Sequence, residues 1–194
     1  MLQRQILVTG AAGYVGSVLG RQLLDLGYAV RGLDVLLFGD AGLKDLSSNP
    51  HFNLVKGDLC DPEIRKAALQ HVEAVIHLAA IVGDPACKLF PETATALMDV
   101  ASRALFEEAE EVGVSKFVFA STCSNYGQMS DEGLLDENSE LQPQSHYARL
   151  KVGFEEYLLT KSTTSPVTVS ILRFATAYGL SPRMRFDLTV NHFT

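Results

Sequence analysis

The order of apolar and polar positions along this chain predicts a regular alternation of strands and helices. Short β-rich runs are each followed by a stretch in which apolar residues recur at helical spacing. The predicted strands are residues 6–9, 29–33, 52–56, 74–78, 116–121 and 167–173. The predicted helices run from Val15 to Leu26 and over residues 62–71, 91–112 and 144–161, whereas residues 35–51 are irregular. This order predicts an α/β fold, a doubly wound parallel sheet with helices on both faces.

Length, charge and cysteine usage narrow the class of protein. A chain of 194 residues fits one large domain, or one domain and the start of another. The net charge of −7 argues against a nucleic-acid partner, since phosphate backbones need clustered lysine and arginine. The chain has an odd number of cysteines with no C-x-x-C spacing, namely Cys60, Cys87 and Cys123. Neither a disulfide framework nor a metal site is therefore predicted. The lack of a leader-like start and of a membrane-length apolar run predicts a cytoplasmic protein with no membrane partner.

A glycine-rich turn joins the first predicted strand to the first predicted helix. Residues 9–16 have the sequence TGAAGYVG. Gly10 suits the tight turn out of the strand, and Gly13 would let the backbone approach a pyrophosphate. Gly16 would let the helix pack closely on the sheet, and the helix N-terminus offers N–H groups and partial positive charge to phosphates. The turn therefore predicts a dinucleotide site, with a purely structural turn as the alternative.

An acidic residue, Asp34, ends the second predicted strand at the distance expected of a ribose-binding carboxylate. Such a carboxylate accepts hydrogen bonds from the ribose 2′- and 3′-hydroxyls and would repel a 2′-phosphate. Asp34 therefore favours NAD over NADP as the cofactor.

Further motifs make the sequence resemble a known family. The glycine spacing is G-x-x-G-x-x-G, and the later motifs follow in the family's order. They are Gly57-Asp58-Leu59, His77-Leu78-Ala79-Ala80, Ser121-Thr122 with Tyr126-Gly127, Tyr147 to Lys151, and Leu172-Arg173 with Tyr178-Gly179. The chain thereby resembles the extended short-chain dehydrogenases/reductases, in particular the NAD-dependent sugar-nucleotide epimerases and dehydratases. The resemblance implies a Rossmann domain over residues 1–180, the beginning of a substrate-binding region at residues 181–194, and further substrate-domain residues beyond these.

The resemblance also implies cofactor contacts along the whole chain. Asp58 and Leu59 would contact the adenine, and residues 78–80 would line the cofactor ribose and pyrophosphate. Two alternatives come from the residues themselves: Asp58 caps the helix at Pro62, and Val75 to Ala80 simply form a buried strand. The implied cofactor-binding set is Gly10, Ala12, Gly13, Tyr14, Val15, Gly16, Asp34, Asp58, Leu59, Leu78, Ala79, Ala80, Ser121, Tyr147 and Lys151.

Three side chains form the predicted catalytic set. Tyr147 and Lys151 lie four residues apart on a predicted helix, so their side chains share one face. A free phenol has a pKa of about 10, and a nearby ammonium together with the positive nicotinamide would favour the phenolate. Tyr147 would then take a proton from a substrate hydroxyl while NAD accepts hydride, and Lys151 would also hold the nicotinamide ribose. By resemblance Thr122 orients the reacting oxygen, with Ser121 and Ser124 as weaker stand-ins; the alternative is that these hydroxyls only cap a strand end.

The residues beside Thr122 help to separate the possible reactions. Family dehydratases resemble one another in placing Asp-Glu directly after this threonine, whereas this chain has Cys123 and Ser124 there. Cys123 is expected to be a partly buried thiol. The resemblance therefore favours an epimerase over a 4,6-dehydratase. A dehydrogenase or ketosugar reductase and a non-catalytic NAD-binding protein remain as alternatives. Met98 and Ala175 stand where relatives commonly carry asparagines, one linked to the catalytic centre through water and one that contacts the substrate phosphate.

The sugar-nucleotide substrate and a second copy of the chain are the predicted partners. Arg183 and Arg185 follow the last strand and would grip a diphosphate, or are solvated charges. Arg173 is expected to form a structural pair. Family members often form homodimers through the helices predicted here at 91–112 and 144–161. The apolar stripe Leu97, Ala101 and Leu105 fits that interface, or faces the sheet.

Overall fold

The computed structural model of the chain describes residues 5–128 and 134–193, in which six strands form one parallel sheet. The strands are β1 Gln5–Thr9, β2 Ala29–Asp34, β3 Phe52–Lys56, β4 Ala74–His77, β5 Lys116–Thr122 and β6 Thr168–Phe174. Their order across the sheet is β3-β2-β1-β4-β5-β6. The chain reverses its direction of travel between β1 and β4, which is where open α/β sheets bind ligands. The predicted doubly wound parallel sheet is confirmed.

Helices cover both faces of the sheet. They are α1 Tyr14–Asp25, α2 Pro62–Ala68, α3 Asp84–Leu89, α4 Pro91–Thr95, α5 Ser102–Glu111, α6 His146–Ser162 and α7 Thr189–Phe193. Two 3₁₀ turns lie at Ala41–Leu43 and Cys123–Tyr126, and a π-helical segment, Ala96–Ala101, joins α4 to α5. The long helix predicted at 91–112 is therefore present with an internal π segment. The sequence did not predict α3 and α7, because helices of six and five residues are too short to show a helical periodicity. No helix within 5–128 or 134–193 is both long and apolar enough for a membrane span.

Two apolar layers hold the helices to the sheet. Consecutive β1 residues face opposite sides, with Leu7 in the layer under α2, α5 and α6 and Val8 in the layer under α1. The first layer contains the fully buried aromatic rings of Phe106, Phe117 and Phe154. The apolar stripe that was suggested for a dimer interface, Leu97, Ala101 and Leu105, also packs in this layer. The alternative that this stripe faces the sheet is therefore confirmed.

Candidate active site

The glycine turn after β1 has a backbone that only glycine adopts without strain. Gly10 has a φ of +72°, and a Cβ at this position would lie 3.0 Å from the backbone nitrogen of Ala79. A Cβ at Gly16 would lie 2.2 Å from the carbonyl oxygen of Gly10. Gly16 therefore lets α1 press against the turn itself, rather than against the sheet as the sequence suggested.

The start of α1 fits an anionic ligand such as a pyrophosphate. Gly13 is the N-cap residue of α1 and provides no side-chain hydrogen bond to the helix. The first N–H groups of an α-helix have no acceptor within the helix, and the helix dipole makes this end partly positive. Asp34 lies next to the turn, since its Oδ2 accepts a hydrogen bond from the Ala12 N–H at 2.9 Å and its Oδ1 accepts one from the Leu36 N–H at 2.8 Å. The predicted ribose-binding carboxylate therefore also shapes the predicted phosphate cradle.

A buried chain of hydrogen bonds fixes the backbone opposite the turn. Thr9 Oγ1 accepts from the N–H groups of Leu78 and Ala79 at 3.2 and 3.1 Å and lies 2.7 Å from His77 Nδ1. His77 Nε2 lies 2.9 Å from Ser102 Oγ, whose hydroxyl donates to the carbonyl of Leu97. The Ser102 hydroxyl therefore accepts from His77 Nε2–H, and Thr9 donates to Nδ1. Burial lowers the pKa of His77 to about 3, which keeps the ring in this neutral form.

The sequence motifs predict no role for this hydrogen-bonded chain. Thr9 and His77 belong to two of the motifs, whereas Ser102 belongs to none. Polar side chains at the buried ends of two adjacent strands were the available signal, because buried polar groups need partners.

Lys151 is buried with its ammonium against β5. Its Nζ donates to the carbonyl of Ala120 at 2.7 Å and lies 4.6 Å from the centre of the Phe119 ring. Burial lowers the pKa of Lys151 to about 8, while the charge of Glu155 opposes this shift. The lysine is therefore held at the carboxyl end of β5, two residues before Thr122.

The shifted pKa of Lys151 predicts a pH-dependent contribution to stability. The folded chain releases this proton near pH 8 and the unfolded chain near the ordinary pKa of 10.5, so between these values the unfolded state binds more protons. The free energy of unfolding therefore rises with pH in this window. Relative to Lys151→Met, the wild type is expected to gain about 1 kcal/mol between about pH 8 and about pH 9 in urea unfolding. Lys161→Met on the same helix is the control, and a difference that does not change with pH would show that Lys151 keeps its ordinary pKa.

Tyr147 packs in an apolar environment. Its ring contacts a cluster formed by Cys87, Ala94 and Met98, and Met98 is only 4% exposed. Burial raises the pKa of Tyr147 to about 12, Cys87 adds to the rise, and the positive charge of Arg185 opposes it. The Lys151 ammonium, which was expected to lower this pKa, is bonded to the carbonyl of Ala120 and lies 5.8 Å from the centre of the Tyr147 ring.

Thr122 ends β5 and caps the short 3₁₀ turn that follows. Its Oγ1 accepts from the Ser124 N–H at 3.2 Å and donates to the Ser124 hydroxyl. Ser121 is buried, and its hydroxyl accepts from the Asn125 side-chain amide at 3.0 Å. Cys123 is exposed, so the expectation of a partly buried thiol is wrong: of the residues in this 3₁₀ turn, Asn125 is the buried one.

A buried ion pair supports these residues from behind. Arg173 donates from Nε and Nη2 to Glu155 Oε2 at 3.0 and 2.7 Å, and Glu155 is 1% exposed. Asn125 donates to Glu155 Oε1 at 2.7 Å with the same amide group that bonds Ser121. Arg173 also donates to the Tyr126 hydroxyl at 2.9 Å. The structural pairing expected of Arg173 is confirmed, while its partner Glu155 was not identified from the sequence.

The predicted adenine-side residues lie beyond β3. Asp58 is exposed, and its Oδ1 accepts from the Cys60 N–H at 2.9 Å. The suggestion that Asp58 caps α2 is wrong, because the Asp61 carboxylate accepts the hydrogen bond of this helix start. Leu59 is buried, and its carbonyl accepts from Arg65 Nη1 at 2.8 Å.

The two arginines predicted to grip a diphosphate make different contacts. The Arg183 guanidinium lies 4.2 Å from the centre of the Phe38 ring, in the loop that follows β2 and Asp34. Arg185 donates to Asp187 at 3.1 Å, and its charge acts on Tyr147. Arg183 thus lies beside the loop after Asp34, while Arg185 pairs with Asp187 and its charge lowers the pKa of Tyr147.

Comparison with known proteins gives consistent matches over nearly the whole chain. A model of the NAD dependent epimerase/dehydratase family matches residues 6–194. The chain is 34% identical to an uncharacterised UDP-glucose epimerase of Bacillus subtilis, over 95% of this chain and 59% of that protein. It is 29% identical to a dTDP-glucose 4,6-dehydratase of an Actinoplanes strain, over 90% of this chain and 57% of that protein.

One solved structure combines both ligands that the site suggests. It is the UDP-glucuronic acid 4-epimerase from Bacillus cereus in complex with UDP-glucuronic acid and NAD. It matches with a TM-score of 0.86 and 29% identity, over 96% of this chain and 60% of that one. The chain thus spans between 57% and 60% of the length of these three proteins.

Proposed function

The chain belongs to the NAD-dependent epimerase/dehydratase family, and on that premise we propose that it acts as a sugar-nucleotide epimerase. A sugar hydroxyl would be oxidised to a transient ketone and then reduced again from the opposite face. The observation that carries the proposal is the hydrogen bond from Lys151 Nζ to the Ala120 carbonyl. This bond holds the face of α6 that carries Tyr147 against the end of β5, where Thr122 lies.

The residues around the glycine turn fit NAD. The uncapped start of α1 suits the pyrophosphate, Asp34 suits the hydroxyls of the adenosine ribose, and residues 78–80 form the adjoining wall. Asp58 and Leu59 follow β3 on the adenine side. When bound, the cofactor would supply the acceptor and later the donor of hydride.

Proton transfer is assigned to Tyr147. The phenol would take the proton of the sugar hydroxyl during oxidation and return it during reduction. Its pKa of about 12 in the chain alone means that the phenolate needs additional positive charge nearby, which Arg185 supplies in part. Thr122 would orient the reacting oxygen through its hydroxyl, and Lys151 would hold the nicotinamide ribose.

We propose Arg185, rather than Arg183, as the arginine nearest the substrate phosphates. The charge of Arg185 acts on the pKa of Tyr147, whereas the Arg183 guanidinium stacks on Phe38. A guanidinium suits a diphosphate because it can donate two parallel hydrogen bonds. The substrate class, a UDP-sugar, is taken from the epimerases to which the chain is similar.

Epimerisation is proposed over 4,6-dehydration because of the residues that follow Thr122. Cys123 and Ser124 are exposed at the site where family dehydratases carry an acid and a base for elimination. Neither side chain is a carboxylate, so elimination of water lacks its proton donor and acceptor there. The similarity to a dehydratase at 29% identity makes this a point for direct measurement.

A panel of sugar nucleotides tests the proposed function. The chain would be incubated with NAD⁺ and UDP-, GDP-, CDP- or dTDP-sugars, and the products separated by chromatography. The expected result is an epimer with no accumulation of NADH. Accumulated NADH would instead identify a dehydrogenase, a 4-keto-6-deoxy sugar would identify a dehydratase, and NAD⁺ binding without any product would identify a non-catalytic protein.

Gly10→Ala is expected to weaken NAD⁺ binding. The alanine would adopt a left-handed backbone at a cost of about 1–2 kcal/mol and would press on the Ala79 backbone. Shifting the turn should reduce NAD⁺ affinity in calorimetry by about tenfold. Gly153→Ala is the matched control, because a Cβ there meets nothing within 4 Å and helix propensity should improve. Equal NAD⁺ affinity in both variants would remove the turn from the cofactor site.

We also propose that the chain forms a homodimer through the outer faces of α5 and α6. Val100 is 63% exposed beside the start of α5, and Leu159 is 56% exposed on α6. Light scattering is expected to give twice the chain mass of 21.1 kDa at micromolar concentration. A mass that stays at the monomer value would contradict the dimer.

A further inference from the structure

The segment after β6, residues 179–191, is held by hydrogen bonds that the proposed mechanism does not use. Asn191 is at their centre and is 5% exposed. Its Oδ1 accepts from the Gly179 N–H at 3.0 Å. Its Nδ2 donates to the Tyr14 hydroxyl and to the carbonyl of Arg185, both at 3.1 Å. One side-chain amide therefore joins both ends of this segment to α1.

Tyr14 provides the contact from the cofactor side. Its hydroxyl donates to the Gly179 carbonyl at 2.7 Å and accepts from Asn191. Its own carbonyl accepts from the Ser181 hydroxyl at 2.8 Å. The Tyr14 hydroxyl thus forms its hydrogen bonds with segment 179–191, while the Tyr14 backbone lies in the first turn of α1, next to the glycine turn.

These contacts determine where Arg185 lies. Its backbone carbonyl is bonded to Asn191, its guanidinium is bonded to Asp187, and its charge reaches Tyr147. Because Asn191 also bonds Tyr14, the backbone of Arg185 is fixed to the same helix that starts at the glycine turn. An arginine whose backbone is already fixed needs less ordering when a ligand binds.

We propose that Asn191 and Tyr14 are positioning residues that fix Arg185, and through it the phosphates of the sugar nucleotide, relative to the glycine turn. This inference rests on the proposed function. Tyr14 was predicted as a cofactor contact; here its side chain acts on the substrate side, through segment 179–191. Disruption of the pair should therefore weaken substrate binding and leave NAD⁺ binding unchanged.

The test uses Tyr14→Phe, Asn191→Ala and the double variant in the full chain. Calorimetry would measure UDP binding in saturating NAD⁺, and NAD⁺ binding separately. Each single variant is expected to weaken UDP binding and to raise the sugar-nucleotide KM by about tenfold, with kcat and the NAD⁺ Kd within about threefold of wild type. The double variant should bind UDP no more weakly than the more affected single variant, because both substitutions disrupt the same hydrogen-bond network. Tyr28→Phe, which removes a half-buried tyrosine hydroxyl elsewhere, is the matched control.

Hydrogen exchange keeps the test decisive if Asn191→Ala folds poorly. Tyr14→Phe alone should accelerate exchange at the Gly179 amide together with the loss of UDP affinity. Unchanged UDP affinity in Tyr14→Phe, or a loss of NAD⁺ affinity as large as the loss of UDP affinity, overturns the proposal. If the wild type binds UDP but converts no sugar nucleotide, the proposed function fails, and the comparison of UDP affinities still decides the positioning role.

Discussion

Tyr147→Phe is expected to lower kcat for the sugar nucleotide by about a thousandfold, since general acid–base groups contribute about 10²–10⁴ to rate. The variant removes the only atom of this side chain that can exchange a proton, while the ring still fills the space beside Cys87 and Met98. NAD⁺ and UDP affinities should therefore stay within about threefold of wild type. Stopped-flow and steady-state turnover would measure the loss.

Tyr157→Phe is the matched control for this result. Tyr157 lies on the same helix, and its hydroxyl donates to Glu107 at 2.9 Å, away from the site. Its replacement should leave kcat unchanged. Wild-type kcat in Tyr147→Phe would disprove the assignment of Tyr147 as the proton carrier, and with it the mechanism proposed here. An equal loss in both variants would instead point to a structural effect on α6.

Glu155→Gln is expected to lower the free energy of unfolding by about 3–5 kcal/mol, as is typical when one partner of a buried ion pair loses its charge. Glu155 is 1% exposed, and it accepts hydrogen bonds from both Arg173 and Asn125. The substitution leaves the Arg173 charge without its negative partner, and glutamine offers one acceptor oxygen where Asn125 and Arg173 together use two. Urea unfolding with a common m-value would measure the change.

Two further variants define what the Glu155 result means. Glu156→Gln, an exposed neighbour on the same helix, should change stability by less than about 0.5 kcal/mol. The double variant Glu155→Leu with Arg173→Met should recover much of the lost stability, because no unpaired buried charge remains. If Glu155→Gln is as mild as Glu156→Gln, the pair does not stabilise the fold.

The sheet and the start of α1 were predictable because their causes are local. Alternating strand and helix patterns leave few topologies open, and a parallel sheet brings the carboxyl ends of its strands to one edge. Gly10 and Gly16 mark close backbone approaches that only these residues allow, and Asp34 ends a strand beside that turn. The four-residue spacing of Tyr147 and Lys151 likewise predicts that their side chains share one face of a helix.

The support behind the site was not predictable because its contacts are distant in sequence. Glu155 has the appearance of a surface charge on α6, but it meets Asn125, thirty residues earlier, and Arg173, eighteen residues later. Arg183 posed the same difficulty, because its guanidinium lies over the ring of Phe38, which belongs to the loop after β2, and no periodicity in the sequence encodes that pairing.

The two hydrogen bonds from Asp34 to the backbone have a consequence for how cofactor preference can change. Replacing Asp34 to admit a 2′-phosphate would also remove the acceptors of the Ala12 and Leu36 N–H groups. Donors left without acceptors away from water cost free energy. If Asp34 sets the nucleotide preference as proposed, a change of that preference also needs an acceptor for these N–H groups. The proposed selectivity and the shape of the cradle then depend on the same side chain.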